Sequence, residues 1–253
     1  MGFYDLSKPR RTALVAKIKS ALLSDLRNNE QGAFLNYFRD EDTYIRKAAY
    51  LNIERIYLEN RELQSKILEY LRRLSHSELP KVRQTAVNAA GEIGKTDFDS
   101  VQPLFDRALF DEHHSVRNAV IGSLKKMGQK NPQAALKWAA TYLKHEDKEV
   151  RREICHGIEL RGRTHPQDIL DMLKELQFDE TSRVRNTLIH VLGQISYKKG
   201  CLETVVEALN HWENKELIAD ALDEIVDVHR RYKDFAARSQ ESAMQYISDH
   251  YKA

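Results

Sequence analysis

The sequence is poor in cysteine, and that excludes one class at once. Only Cys155 and Cys201 occur in 253 residues, too few for a disulfide framework. Cys155 falls inside a helical pattern and reads as a small buried side chain. Both suit a reducing compartment, so a cytoplasmic location is expected. Long apolar runs are missing too. No stretch of 18 apolar residues occurs, which argues against a membrane span. Charge of one sign is not in excess. Lysine plus arginine number 40 and aspartate plus glutamate 38, a formal net charge of +2. That is not the balance of a strongly basic nucleic-acid binder. No Gly/Ser-rich linker divides the chain, so a single domain over 1–253 is expected. Residues 1–11 are polar and include Pro9, so no secretory signal is expected there.

What the sequence does have is a repeat. Val82-Arg83, Val116-Arg117, Val150-Arg151 and Val184-Arg185 recur every 34 residues, and Ile45-Arg46 is an earlier copy. Four positions after the valines come Ala86, Val120, Ile154 and Leu188, and four further on come Ala90, Leu124, Ile158 and Leu192. That spacing keeps one helix face apolar. A unit of this length holds two short helices and two turns, and it must stack on neighbours to bury its core.

Taken in order, the chain predicts an N-terminal cap helix over 9–27, with Leu14, Val15, Ile18, Leu22 and Leu26 on one stripe. Repeats follow over 30–228. Pro80, Pro103, Pro132 and Pro166 sit where helices begin. Gly94 is expected to stop its helix in a left-handed conformation, and Gly128 to end the next second helix. In the sixth copy Leu217-Ile218 replaces Val-Arg, as suits a terminal repeat. A last helix over 239–251 closes the stack, with Ala243, Met244, Tyr246 and Ile247 as its docking face.

The Val-Arg phrase and its setting resemble the second helix of a HEAT repeat. The resemblance covers most of 30–228 and implies an all-α, right-handed solenoid of about six HEAT-like repeats with helical caps. Each arginine lies in the first turn of its helix, where a cation opposes the helix dipole and needs a partner. The acidic turns supply carboxylates: Asp42, Glu78, Asp111 or Glu112, Asp147, and Asp179 or Glu180. In HEAT proteins such pairs tie successive repeats together. The resemblance therefore assigns Arg83, Arg117, Arg151 and Arg185 to structure. Arg163, in a turn, is expected to be exposed and structurally neutral.

Two other rows carry functional expectations. The turns between repeats are basic, and Lys125, Lys126, Arg161, Arg163, Lys198 and Lys199 could contact phosphates along one edge. Aligned on the valines, the second helices also place polar residues three, six and ten positions on. The HEAT resemblance puts these helices on the concave surface, which would show Glu153, His156, His190, Gln194, Asp220 and Asp227, with Glu159 at its border. Imidazoles beside carboxylates can serve acid–base chemistry or ligate metals. The spacing is not HExxH, so no metal and no cofactor is assigned. The expected function is a non-enzymatic scaffold, monomeric, binding a protein through that surface.

In length and charge sorting the chain also resembles the bacterial alkylpurine DNA glycosylase superfamily. That resemblance implies DNA binding or base excision, with Asp220 as the carboxylate beside the damaged nucleotide. The tandem tryptophan–aspartate pattern of its active members is absent; Trp138 and Trp212 are both expected in first helices.

Overall fold

The computed structural model describes residues 2–252. Its elements are helices: α1 (Lys8–Asn28), α2 (Gly32–Phe38), α3 (Thr43–Glu59), α4 (Gln64–Leu74), α5 (Pro80–Ile93), α6 (Gln102–Ala108) and α7 (His114–Lys130) in the first half. The second half holds α8 (Pro132–Ala140), α9 (Lys148–Gly162), α10 (Leu170–Lys174), α11 (Ser182–Gln194), α12 (Cys201–Leu209), α13 (Lys215–Arg231) and α14 (Gln240–His250). The fold is all-α, built of repeated helical hairpins of the solenoid type. The chain forms two compact units, Met1–Asn131 and Pro132–Ala253. No helix among the described residues is long and apolar enough to cross a membrane.

In the first unit, α1, α3, α5 and α7 pack side by side, and α2, α4 and α6 back them. The apolar stripes read from the sequence make this core: Ile18, Leu22, Leu26, Ile53, Ile56, Val82, Ala86 and Val120 are fully buried. A buried carboxylate starts α2. Asp25, near the end of α1, accepts the backbone N–H of Ala33 (2.8 Å) and of Phe34 (3.1 Å). It satisfies two donors that a helix start leaves open.

In the second unit, α9, α11 and α13 form the equivalent row, with α14 against α12 and α13. Val184, Leu188, Leu192, Ile218 and Ile225 are fully buried between them. The first helix of the fifth repeat is reduced to five residues of α10 after a 3-10 turn at Pro166–Asp168. Ser239 caps α14 by accepting the N–H of Ser242 at 3.2 Å.

Three sequence expectations are corrected. Gly94 is right-handed (φ −62°), not left-handed. A Cβ there would stand 2.5 Å from Met127 Sδ, so the glycine serves close packing rather than a chain reversal. Helix α7 passes Gly128 and ends at Lys130. Met244 is exposed, and Ala243 is the residue of α14 that docks fully.

The arginines form one recurring device. Each guanidinium reaches back to carbonyls of its own turn: Arg46 to Asp40 and Glu41, Arg83 to Ser77 and Glu78, Arg117 to Asp111 and Glu112, Arg151 to His145 and Glu146, Arg185 to Asp179. Two of them also clamp a carboxylate 28 residues ahead with two parallel bonds. Arg83 holds Asp111 (2.8 and 2.9 Å), and Arg151 holds Asp179 (2.6 and 3.1 Å). Asp111 and Asp179 are almost buried. Burial pushes these carboxyls up, but the facing arginine outweighs it, and both lie below the usual aspartate range.

Candidate binding surface on the second helices

The three polar rows do not share one environment. Six positions after the valine, Asn88, Gly122, His156, His190 and Asp223 are all half-buried or exposed. Three positions after it, Thr85 and Glu153 are buried, and ten positions after it so are Glu92 and Gln194. Those two rows point along the seams where neighbouring second helices pack. Of the seven residues expected on the surface, Glu153, Glu159 and Gln194 are therefore interior, whereas His156, His190, Asp220 and Asp227 are accessible.

The interior three are held by arginines. Arg163 donates to Glu159 Oε1 through Nε (2.9 Å) and Nη2 (2.5 Å), and its Nη2 also reaches Gln194 Oε1 at 2.8 Å. Arg163 is thus no free turn residue: it bridges α9 to α11, and the side chain of Glu159 is only 2% exposed. The Glu159–Arg163 spacing of four was visible in the sequence and is the signal that finds this pair. Arg152 joins Glu149 (3.0 Å) and lies 3.4 Å from Glu153.

Above this layer the histidines meet. The rings of His156 and His190 are 6.3 Å apart at 33°. His156 Nδ1 is 3.1 Å from Glu159 Oε2, and His190 Nδ1 is 3.7 Å from Glu224 Oε1. One ligand atom from each of His156, Glu159 and His190 lies within 4.8 Å of the other two. Glu224 was not singled out in the sequence. The other copies carry Ala89, Ser123, Gly157 and Val191 at its position, so the alignment showed no polar row there. Gly193 explains how it fits: a Cβ at that glycine would come within 2.7 Å of Glu224 Cγ.

The surface changes character at α13. Glu216, Asp220 and Asp223 are exposed, while Glu224 and Asp227 are engaged by Arg231 at 2.5 and 2.6 Å. Arg230 also pairs with Asp227. The six candidate phosphate-binding residues fall differently. Lys126 pairs with buried Glu92 (2.6 Å), Arg161 with Asp168 (2.7 Å) and Arg163 with Glu159. Lys198 lies over the Tyr197 ring at 4.9 Å. Lys199, with Lys198, lines a groove beside Arg238. Lys125 stands half-buried on α7.

The pattern described as HEAT repeats matches residues 32–125, 68–140 and 136–226. The chain belongs to the HEAT-repeat family. No curated protein matches the sequence. Among solved structures, AlkD2 from Streptococcus mutans is similar at 17% identity with a TM-score of 0.52, covering 87% of this chain and 100% of its own. That likeness is one of fold. The Pds5–Scc1 complex (12% identity, TM-score 0.48) covers 97% of this chain and 42% of its own. Importin beta (13%, 0.48) covers 96% and 37%. This HEAT chain spans less than half of either of those two.

Proposed function

We propose that this HEAT-repeat chain is a non-enzymatic scaffold that binds a protein partner through its second helices, and that α13 presents the anchor for a basic segment of that partner. The observation that carries this reading is the acidic end of the row. Glu216, Asp220 and Asp223 are all exposed and lie on successive turns of one helix. Carboxylates so arranged repel a phosphate backbone and attract lysine and arginine side chains. The basic edge adds little against this, because Lys126, Arg161 and Arg163 are each committed to a carboxylate of the chain itself. On this reading Asp220 serves in partner binding rather than as the carboxylate of a glycosylase.

The test is capture of partners by wild type and by a Glu216→Gln/Asp220→Asn/Asp223→Asn variant, followed by identification of what is bound and titration with the purified partner. The expected result is a partner that the variant releases, with affinity falling as salt rises. Equal capture of every partner by both proteins would overturn the reading. So would binding of plain duplex DNA below about 10 μM at low salt that the triple change leaves intact or strengthens.

A further inference from the structure

We propose that His156, Glu159 and His190 form a binding site for one divalent transition-metal cation of the zinc class, joining α9 to α11. The two imidazoles and the carboxylate are the donor set that suits zinc, and also cobalt and nickel; calcium and magnesium prefer all-oxygen shells. The geometry starts close to what an ion needs. With ligand bonds of about 2.0–2.2 Å, neighbouring donors around one zinc stand roughly 3.0–3.5 Å apart. His156 Nδ1 and Glu159 Oε2 are already 3.1 Å apart. His190 completes the set from the next helix, with all three donors inside 4.8 Å. Its side chain is 43% exposed, so rotation about its two side-chain bonds closes the remaining gap without disturbing the core.

The surroundings resemble a built site more than a chance cluster. A metal-binding carboxylate is positioned by hydrogen bonds to its other oxygen. Arg163 does this for Glu159: it donates twice to Oε1, while Oε2 lies 3.1 Å from His156 Nδ1. A metal-binding histidine is commonly oriented by a carboxylate at the ring nitrogen that does not bind the metal. Glu224 Oε1 stands 3.7 Å from His190 Nδ1 and is itself held by Arg231 at 2.5 Å, so a small turn of the ring brings the two within hydrogen-bond reach. Two arginines line the same cavity beside two carboxylates: Arg152 and Arg183 both pair with Glu149, and Arg152 also lies 3.4 Å from Glu153. That cavity, of about 390 Å³, opens over the two imidazoles and gives room for a water or an outside ligand at a fourth position. The site does not depend on the acidic anchor of α13, since neither Glu216, Asp220 nor Asp223 takes part.

The experiment uses tag-free, chelator-stripped protein. Zinc is titrated in competition with a chromophoric chelator, and cobalt is added separately to read the visible spectrum of the bound ion. Wild type is expected to take up one zinc per chain and to give a cobalt spectrum of low coordination number. Glu159→Gln, His156→Gln and His190→Gln should each weaken uptake about tenfold or more, and Glu224→Gln should weaken it less. Far-ultraviolet circular dichroism establishes that each variant is folded. His190→Gln, the most exposed position, is the deciding variant if Glu159→Gln unfolds. Magnesium in large excess should not compete. Absence of zinc uptake by folded wild type would overturn the proposal. Uptake undiminished in the His156→Gln/His190→Gln double variant would also overturn it, since the ion would then sit on other histidines.

Discussion

Replacing Arg151 by alanine removes a clamp whose strength can be worked out from its contacts. Four hydrogen bonds go: two to the Asp179 carboxylate and two to the carbonyls of His145 and Glu146. Asp179 stays behind with its side chain 5% exposed, still accepting the Thr181 N–H at 2.9 Å. Removing one partner of a fully buried ion pair costs about 3–5 kcal/mol. The arginine side chain is 16% exposed, so water can reach part of the vacated space. The expected loss is therefore about 2–4 kcal/mol. Arg185 is the matched control, because it occupies the same position in the next repeat of the same compact unit. Its guanidinium bonds to one carbonyl, Asp179 O at 2.6 Å, and Arg185→Ala should cost about 0.5–1.5 kcal/mol. At a slope of about 2 kcal/mol/M, the urea midpoint of that unit should fall by about 1–2 M in Arg151→Ala and by well under 1 M in Arg185→Ala. Equal midpoints would refute the reasoning. So would a double-mutant cycle of Arg151→Ala with Asp179→Ala that showed no coupling.

Other outcomes follow from the same contacts. Arg163→Ala leaves Glu159 buried beside a lost cation and should destabilise by about 1–3 kcal/mol in urea melts, not the negligible amount expected for an exposed turn. The carboxyls of Asp111 and Asp179 are depressed, so their contribution is complete above the ordinary aspartate value near 3.9 and is lost as pH falls through the lower folded values. Urea midpoints should therefore drop between about pH 4 and pH 2 more steeply in wild type than in Asp179→Asn; parallel curves would exclude the assignment. Burial pushes the thiols of Cys155 and Cys201 up, so a thiol reagent at pH 8 should modify neither in the folded protein and both in urea.

Much of the fold was legible because the same physical problem is solved several times. The Val-Arg phrase and its Ile-Arg copy each fall in the first turn of a second helix, α3, α5, α7, α9 and α11, and the acidic turns announced the partners of Arg83 and Arg151. The sequence could not say which acid would pair. Asp111 is buried against Arg83, whereas its neighbour Glu112 is 87% exposed, a choice made by the turn's geometry. The candidate surface was half legible. Helical spacing put Glu153, His156 and Gln194 on one broad face, but only packing of the adjacent helix decides which edge of that face becomes a seam. Glu224 escaped notice because its position is polar in few copies, and its role depends on the glycine opposite.

The spacing of the ties also bears on how this chain folds. Tyr70 reaches the Glu30 carbonyl 40 residues away, Arg83 reaches Asp111 over 28, and Thr85 reaches the Phe38 carbonyl over 47. Each closes a loop of about one repeat, so the entropy of closure stays nearly constant along the chain. Low contact order of this kind goes with fast folding that can begin at any pair of hairpins and spread to the next. Lengthening such a chain by a whole repeat would add stability at one more seam while leaving the slowest loop to be closed no longer than before.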